Sequence, residues 1–258
     1  MKKGETHQYM EALRTDIAII GGGFGACAAA LAAARLGRRV ILTEETHWIG
    51  GQLTNQAVPP DKHPWIEDFG ATASCRALRR GIRDYYRAHT PLTAEARTHE
   101  ALNPGNGWVS RLCHDPRVAV SALHQMMVPY HLNGRLFVMH PHRPISAWTH
   151  GDRITGVVVR GLESGRDSLI EAQYFICATP YGDLLDLAGV EHALGAESHS
   201  ETGEPHAPER ADTRDQQAIT VCFAMEYIPG EDHTIDKPRQ YDLWREFHPP
   251  GWPGPLLG

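Results

Sequence analysis

The sequence predicts an α/β fold built on a parallel sheet, and three observations predict it. Residues 16–20 (DIAII) form a short β-branched apolar run, glycines 21, 22, 23 and 25 interrupt it, and an alanine-rich stretch runs from Ala26 to Leu36. A second apolar run, residues 40–43, follows at once, so strand, helix and strand fit into a unit whose two strands should be parallel. From Arg135 onward the pattern changes to short apolar runs separated by turn residues, the signature of a succession of strands. The length of 258 residues allows one large domain, or one domain and part of a second.

Each element has its own local reason. The first helix is rich in strong helix formers, and Gly37 should end it as a C-terminal cap. Three prolines, Pro59, Pro60 and Pro64, make residues 50–70 irregular. Ser74 is a candidate cap for a helix reaching about His89, with Leu78, Ile82 and Tyr85 on one apolar stripe. Residues 90–114 look irregular. Asp115-Pro116 is a helix start with Asp as N-cap and Pro in the first turn, and this helix should end before Gly134. Strands are expected at 136–139, 145–148, 154–160, 168–172, 174–178 and 218–227, with a polar loop over 196–216.

Composition excludes several function classes. Apolar residues make up 41% and charged residues 22%, a globular balance. A net charge of −6 lacks the basic footprint of a nucleic-acid binder. The five cysteines (27, 75, 113, 177 and 222) are odd in number and contain no CxxC pair, which argues against a disulfide framework or a cysteine zinc site and suits a cytoplasmic location. The N-terminal residues lack an apolar signal-peptide core. Residues 17–34 are uncharged over the nominal length of a membrane span, but their glycines favour strand, turn and helix, so no membrane association is expected.

The candidate site begins with Gly21-Gly22-Gly23-Phe24-Gly25-Ala26, a G-x-G-x-x-G/A pattern between a strand and a helix. The first glycine permits a tight turn, the second lets backbone approach a pyrophosphate, and Ala26 allows close helix–strand packing, with phosphates on the helix N-terminus. Glu44, at the end of the second strand, is placed to accept hydrogen bonds from ribose hydroxyls and to repel a 2′-phosphate. Its neighbour Glu45 reads as a solvated charge. A second glycine pair, Gly50-Gly51, follows, then Gln52.

These residues together resemble the FAD-dependent oxidoreductases of the glutathione reductase-like fold. In that family a paired glycine after the second strand approaches the pyrophosphate and ribityl chain. Strands 145–172 resemble its three-stranded meander. Residues 174–179 resemble the strand leading to its second nucleotide motif, A-T-G, here Ala178-Thr179-Pro180, followed by Tyr181, Gly182 and Asp183. The resemblance covers roughly residues 14–60 and 130–190. It implies a Rossmann-like FAD-binding domain over 14–190 with an inserted helical and loop region at about 55–130, and an incomplete substrate domain over 191–258. It implies FAD as cofactor, held by Gly21, Gly23, Phe24, Gly25, Ala26, Glu44, Gly50, Gly51, Gln52, Ala178, Thr179, Gly182 and Asp183. The activity it implies is flavin-mediated hydride or electron transfer on a small-molecule substrate. Members of the family are longer, with a C-terminal return to the FAD domain that nothing after residue 190 resembles, so the chain reads as the N-terminal part of such an enzyme. The alternatives are a non-catalytic fragment and a NAD-dependent dehydrogenase, the second disfavoured by Gly50-Gly51 and the meander. No residue is assigned as a catalytic base, and neither substrate nor oligomeric state is specified.

Other residues read more plainly. Arg76, Arg79, Arg80, Arg83 and Arg87 suggest a solvated basic helix face. His140 and His142 share a strand face but lack a third ligand, so no metal is expected. Cys113 and His114, adjacent in a strand, would point apart. Arg111 is a candidate for holding an acidic substrate or the flavin, and His47 reads as a surface histidine. Cys27 should pack as a small apolar side chain.

Overall fold

The computed structural model describes residues 11–61, 63–219, 221, 223, 225–249 and 253–255. The chain divides into two compact units, Met1–Cys222 and Phe223–Gly258. The first carries the sheet. Its strands are β1 (Glu11–Ile20), β2 (Val40–Thr43), β3 (Leu136–Met139), β4 (His142–His150), β5 (Arg153–Gly161) and β6 (Asp167–Cys177), in the spatial order β3-β2-β1-β6-β5-β4. Neighbours from β3 to β6 are parallel, and β6, β5 and β4 pair antiparallel as a meander that continues the same sheet.

Helix α1 (Phe24–Arg35) makes the crossover from β1 to β2, and Gly37 closes it by donating to the Ala34 carbonyl at 3.0 Å. Helices α2 (Ala73–His89), α3 (Ala94–Thr98) and α4 (Pro116–Leu132) lie between β2 and β3 in the chain. Period-2 alternation divides the sheet residues between two cores. Ile19, Val40 and Leu42 pack with Ala30, Leu31, Leu123 and Met127 of α1 and α4. Ala18, Ile20 and Ile41 pack with Val157, Val159, Ile170 and Leu184. Each such Val, Leu, Ile or Met side chain taken fully out of water stabilises the fold by about 1.5–3 kcal/mol. The apolar run 17–34 is thus split between β1 and α1, and among the described residues no helix is long and apolar enough to cross a membrane.

Several expectations need correction. Helix α1 starts at Phe24 rather than Ala26. Thr72, not Ser74, caps α2 by accepting from the Cys75 N–H at 3.2 Å, while Ser74 lies inside the helix and accepts from Arg35. Residues 90–114 contain α3, capped by Thr93. Runs 168–172 and 174–178 form one long strand, because β1 itself begins at Glu11 and pairs with β6 along nearly its whole length. The strand expected over 218–227 is absent among the described residues of that stretch; Ile219, Val221, Phe223, Met225 and Tyr227 keep their alternation but are exposed, with no paired strand to face them. Residues 220, 222 and 224, including Cys222, lie outside the described residues.

In the second unit Lys237, ahead of α7 (Tyr241–Glu246), places its ammonium 5.0 Å from the Tyr241 ring centre, and Trp244 meets Phe247 edge-on. Helices α5 (Asp183–Ala188) and α6 (His199–Thr202) belong to the first unit.

Candidate nucleotide site

Four segments meet at the carboxyl ends of β1, β2 and β6. The first is the glycine turn. Gly21 has φ +104°, and a Cβ there would lie 2.3 Å from the Ala178 carbonyl oxygen and 2.5 Å from the Thr179 N. The first glycine is therefore needed where the turn crosses the end of β6. Gly21 donates to Thr43 Oγ1 at 3.1 Å, and Ala178 donates to the Ile20 carbonyl at 2.7 Å, which tie the turn to both neighbouring strands. Gly23 ends the turn as the N-cap of α1 with φ −61° and no side-chain cap. The first intrahelical bond runs from Cys27 to the Gly23 carbonyl, so the N–H groups of Phe24, Gly25 and Ala26 have no intrahelical acceptor.

The second segment is the end of β2. Glu44 is 7% exposed. Its Oε2 accepts from the Gly22 N–H at 3.0 Å, and its Oε1 accepts from both the N–H and the hydroxyl of Thr46 at 2.8 Å. Its backbone donates to the Met139 carbonyl and accepts from the His142 N–H, so β3 and the start of β4 fix its position.

The third segment is the second glycine pair. Gly50 donates to the Gly22 carbonyl at 2.8 Å and pairs with Gly23 as an isolated parallel bridge. Gly51 opens a single 3-10 turn, Gly51–Leu53, and a Cβ on it would lie 3.0 Å from the Gly23 Cα. The two glycine runs are thus docked backbone to backbone.

The fourth segment follows β6. Pro180 stands where the family motif has glycine, and it sits in a turn closed by the Gly182 N–H on the Thr179 carbonyl at 3.3 Å. The fixed φ of proline suits this turn. The Thr179 hydroxyl accepts from the Asp183 N–H at 2.8 Å at the start of α5.

These segments enclose a cleft of about 620 Å³. Of the expected residues, Gly21, Gly23, Glu44, Gly51, Thr179 and Asp183 line it. Phe24 instead lines a separate apolar pocket, Ala26 is buried in the helical core, and Gly50 is turned toward Thr54 and Leu123. Gly25, Gln52, Ala178 and Gly182 frame the segments without lining the cleft. Thr46, Asn55, Gln56, His142 and Arg143 also line it, and the motif reading missed them. Thr46 had a local signal, a hydroxyl residue two positions after the strand-end acid. His142 and Arg143 arrive from β4, almost a hundred residues on, and no motif marks them. The exposed Glu45 stands at the same cleft.

A backbone ligand fits this cradle. Ideal Cβ atoms on Gly23 and Gly25 would meet nothing within 4 Å, the N–H groups of the first turn of α1 are free for an anion, and His142 Nδ1 is buried without a partner. Burial, followed by the His140 charge, lowers the His142 pKa. A wider basin of about 710 Å³ lies under the loop around Trp108, lined by Asp61, His63, Asn103, Ser110 and Arg111. It has no glycine cradle, so the smaller cleft is the better nucleotide candidate.

The remaining residues find ordinary places, with two corrections. Arg79 and Arg83 are not a solvated face: they are 2% and 6% exposed and bind Glu67, with Arg79 also on Asp61 at 2.6 Å. Arg76 and Arg80 are exposed. Cys113 and His114 lie in a loop rather than a strand, with separate carbonyl partners on Ser110 and Leu112. His47 is exposed, 3.6 Å from Glu163. Cys27 is buried, and burial together with the Glu44 charge pushes its thiol up to about 12, so it packs as an inert side chain. Among the described residues no three His, Cys, Asp or Glu form a metal-ligating group.

A profile of the family described as FAD dependent oxidoreductase matches residues 16–252, nearly the whole chain. The chain belongs to this family. The α/β fold class and FAD as cofactor follow from that membership. No curated protein matches the sequence. Among solved structures the chain is similar to Mycobacterium smegmatis Sdh1 in complex with UQ1, at 18% identity and TM-score 0.41, over 66% of this chain and 34% of that one. It is similar to L-proline dehydrogenase from P. horikoshii at 19% identity and TM-score 0.37, over 69% and 25%. A geranylgeranyl bacteriochlorophyll reductase-like protein from Thermoplasma acidophilum gives 14% identity and TM-score 0.42, over 70% and 43%. The chain therefore spans less than half the length of each of these proteins.

Proposed function

We propose that the cleft holds FAD, with the pyrophosphate at the N-terminus of α1 and the adenosine ribose on Glu44, and that the protein passes a hydride or electron pair between a small-molecule substrate and the flavin. The observation that carries this reading is the docking of Gly50-Gly51 on Gly22-Gly23 beside a buried, oriented carboxylate. That arrangement lets two backbone segments approach one ligand where any side chain would intrude. The bound flavin supplies the redox chemistry; the chain's residues bind, orient and exclude water around it. Residues 14–190 are read as the cofactor-binding part, with residues 191–258 beginning a substrate-binding part. A cytoplasmic location accords with the free thiols of Cys27, Cys75, Cys113 and Cys177.

The test is a visible spectrum of the purified chain after incubation with FAD and desalting. A retained flavin band that substrate or dithionite bleaches supports the reading. Absence of saturable FAD binding in a folded chain overturns it for residues 1–258.

A further inference from the structure

The geometry points to Thr46 as a positioning residue that holds the Glu44 carboxylate in the orientation needed to recognise ribose hydroxyls. The inference rests on the ribose reading of Glu44 and goes beyond it, because no nucleotide-binding motif contains Thr46. A threonine hydroxyl has one proton and two lone pairs. Here both lone pairs have donors, the Asn55 side-chain amide at 3.0 Å and the Trp48 N–H at 3.3 Å. The proton has two acceptors within reach, Glu44 Oε1 at 2.8 Å and the Trp48 carbonyl at 2.9 Å. The Thr46 N–H also reaches Glu44 Oε1.

The consequence is chemical. Glu44 Oε1 accepts two bonds from Thr46, while Oε2 is held by Gly22, so the carboxylate plane is fixed. A carboxylate offers about four acceptor positions, and a ribose hydroxyl can take the second position on Oε2, beside the Gly22 N–H, while both Thr46 bonds hold Oε1. Asn55, which lines the same cleft, keeps Thr46 in place. The carboxylate is preorganised without being blocked.

The experiment measures affinities of the whole chain for ADP and for 2′,3′-dideoxy-ADP by calorimetry, in the wild type, Thr46→Val and Thr46→Ser. The wild type is expected to prefer ADP by about tenfold. Thr46→Val should lose most of that preference while holding dideoxy-ADP nearly as well, and Thr46→Ser should restore it. A Thr46→Val variant that weakens both ligands equally, keeping the ratio, overturns the assignment and leaves a structural role only. A wild type that binds both ligands alike overturns this inference and the ribose reading together. Far- and near-UV circular dichroism checks the fold, and Thr46→Ala carries the same comparison if valine disturbs it.

Discussion

Gly21 and Gly23 stand two residues apart and have opposite physical reasons to be glycine. At Gly21 the backbone sits at φ +104° and a methyl group would enter the Ala178 carbonyl. Gly21→Ala is expected to cost at least about 2 kcal/mol of stability, seen as a lowered midpoint in urea. At Gly23 the φ of −61° is ordinary and the space beside it is open. Gly23→Ala should melt within a few degrees of the wild type yet weaken FAD by tenfold or more, measured by titration of flavin fluorescence. The pair separates folding from binding within one motif; equal effects on both readouts would contradict this division. Glu44 supplies a third contrast. Glu44→Gln keeps its shape but replaces charge-assisted bonds with neutral ones, and the expected loss of about 1.5–3 kcal/mol in FAD affinity is roughly ten- to hundredfold. The sequence reading found these three residues because their roles are local to one turn and one strand end. It missed Thr46 because the hydroxyl acts through Glu44 rather than on the ligand.

Helix α2 shows how an element can be read correctly in extent and wrongly in purpose. Its apolar stripe is where the spacing puts it, with Leu78 and Ile82 buried. Its arginines were expected to face water, but Arg79 and Arg83 are closed in by Asp61 and Glu67, and Arg83 also donates to the Leu102 carbonyl at 2.9 Å. The partners come from an irregular segment some twelve to twenty residues away, whose path no periodicity reveals. The helix thereby clamps two loops, 63–69 and 99–111, onto the helical layer. Removing one partner of a buried charge cluster leaves the other uncompensated, a cost of about 3–5 kcal/mol. Glu67→Gln is therefore expected to lower stability by about 3 kcal/mol and to speed hydrogen exchange in both loops, while exchange in β1 and β6 follows only the global change. Strand β6 teaches a related lesson. Arg14 pairs with Glu171 at 2.8 Å and the strands run together from Glu11 onward. Residues 11–15 lack the apolar run that marks 16–20, so only the parallel partner reveals that the strand extends so far.

At the scale of the molecule, the βαβ unit, the meander and the glycine cradle were legible because each is written in a contiguous stretch. The joining of meander and parallel sheet through one shared strand was not, because it depends on which edges meet. The same long-range packing sets the response to pH. Burial, outweighed by the Arg111 N–H, the Ser110 hydroxyl and Arg79, leaves the Asp61 carboxyl below its ordinary value. Burial of Glu67 is likewise outweighed by Arg83 and Arg79, and its pKa is lowered too. A carboxyl with a depressed folded pKa stabilises the fold above its unfolded value and loses that contribution as pH falls through the folded one. The histidines act earlier. Burial lowers His114, and burial with the charges of His140 and His131 lowers His124 below 6.5. His142 follows for the same reason. A depressed histidine resists protonation in the fold but accepts a proton when unfolded, so its stabilisation is full above 6.5 and declines below it. The unfolding free energy should therefore be level from pH 8 to 7, fall from about 6.5 downward, and fall again below about 4.5 as the carboxylates of the α2 clamp protonate. Urea titrations at pH 7.5, 5.5 and 4.0 measure both steps. His124→Gln should reduce the first step and Glu67→Gln the second; a stability equal at pH 7.5 and 5.5 would remove the histidines from the account and leave the clamp alone to explain acid unfolding.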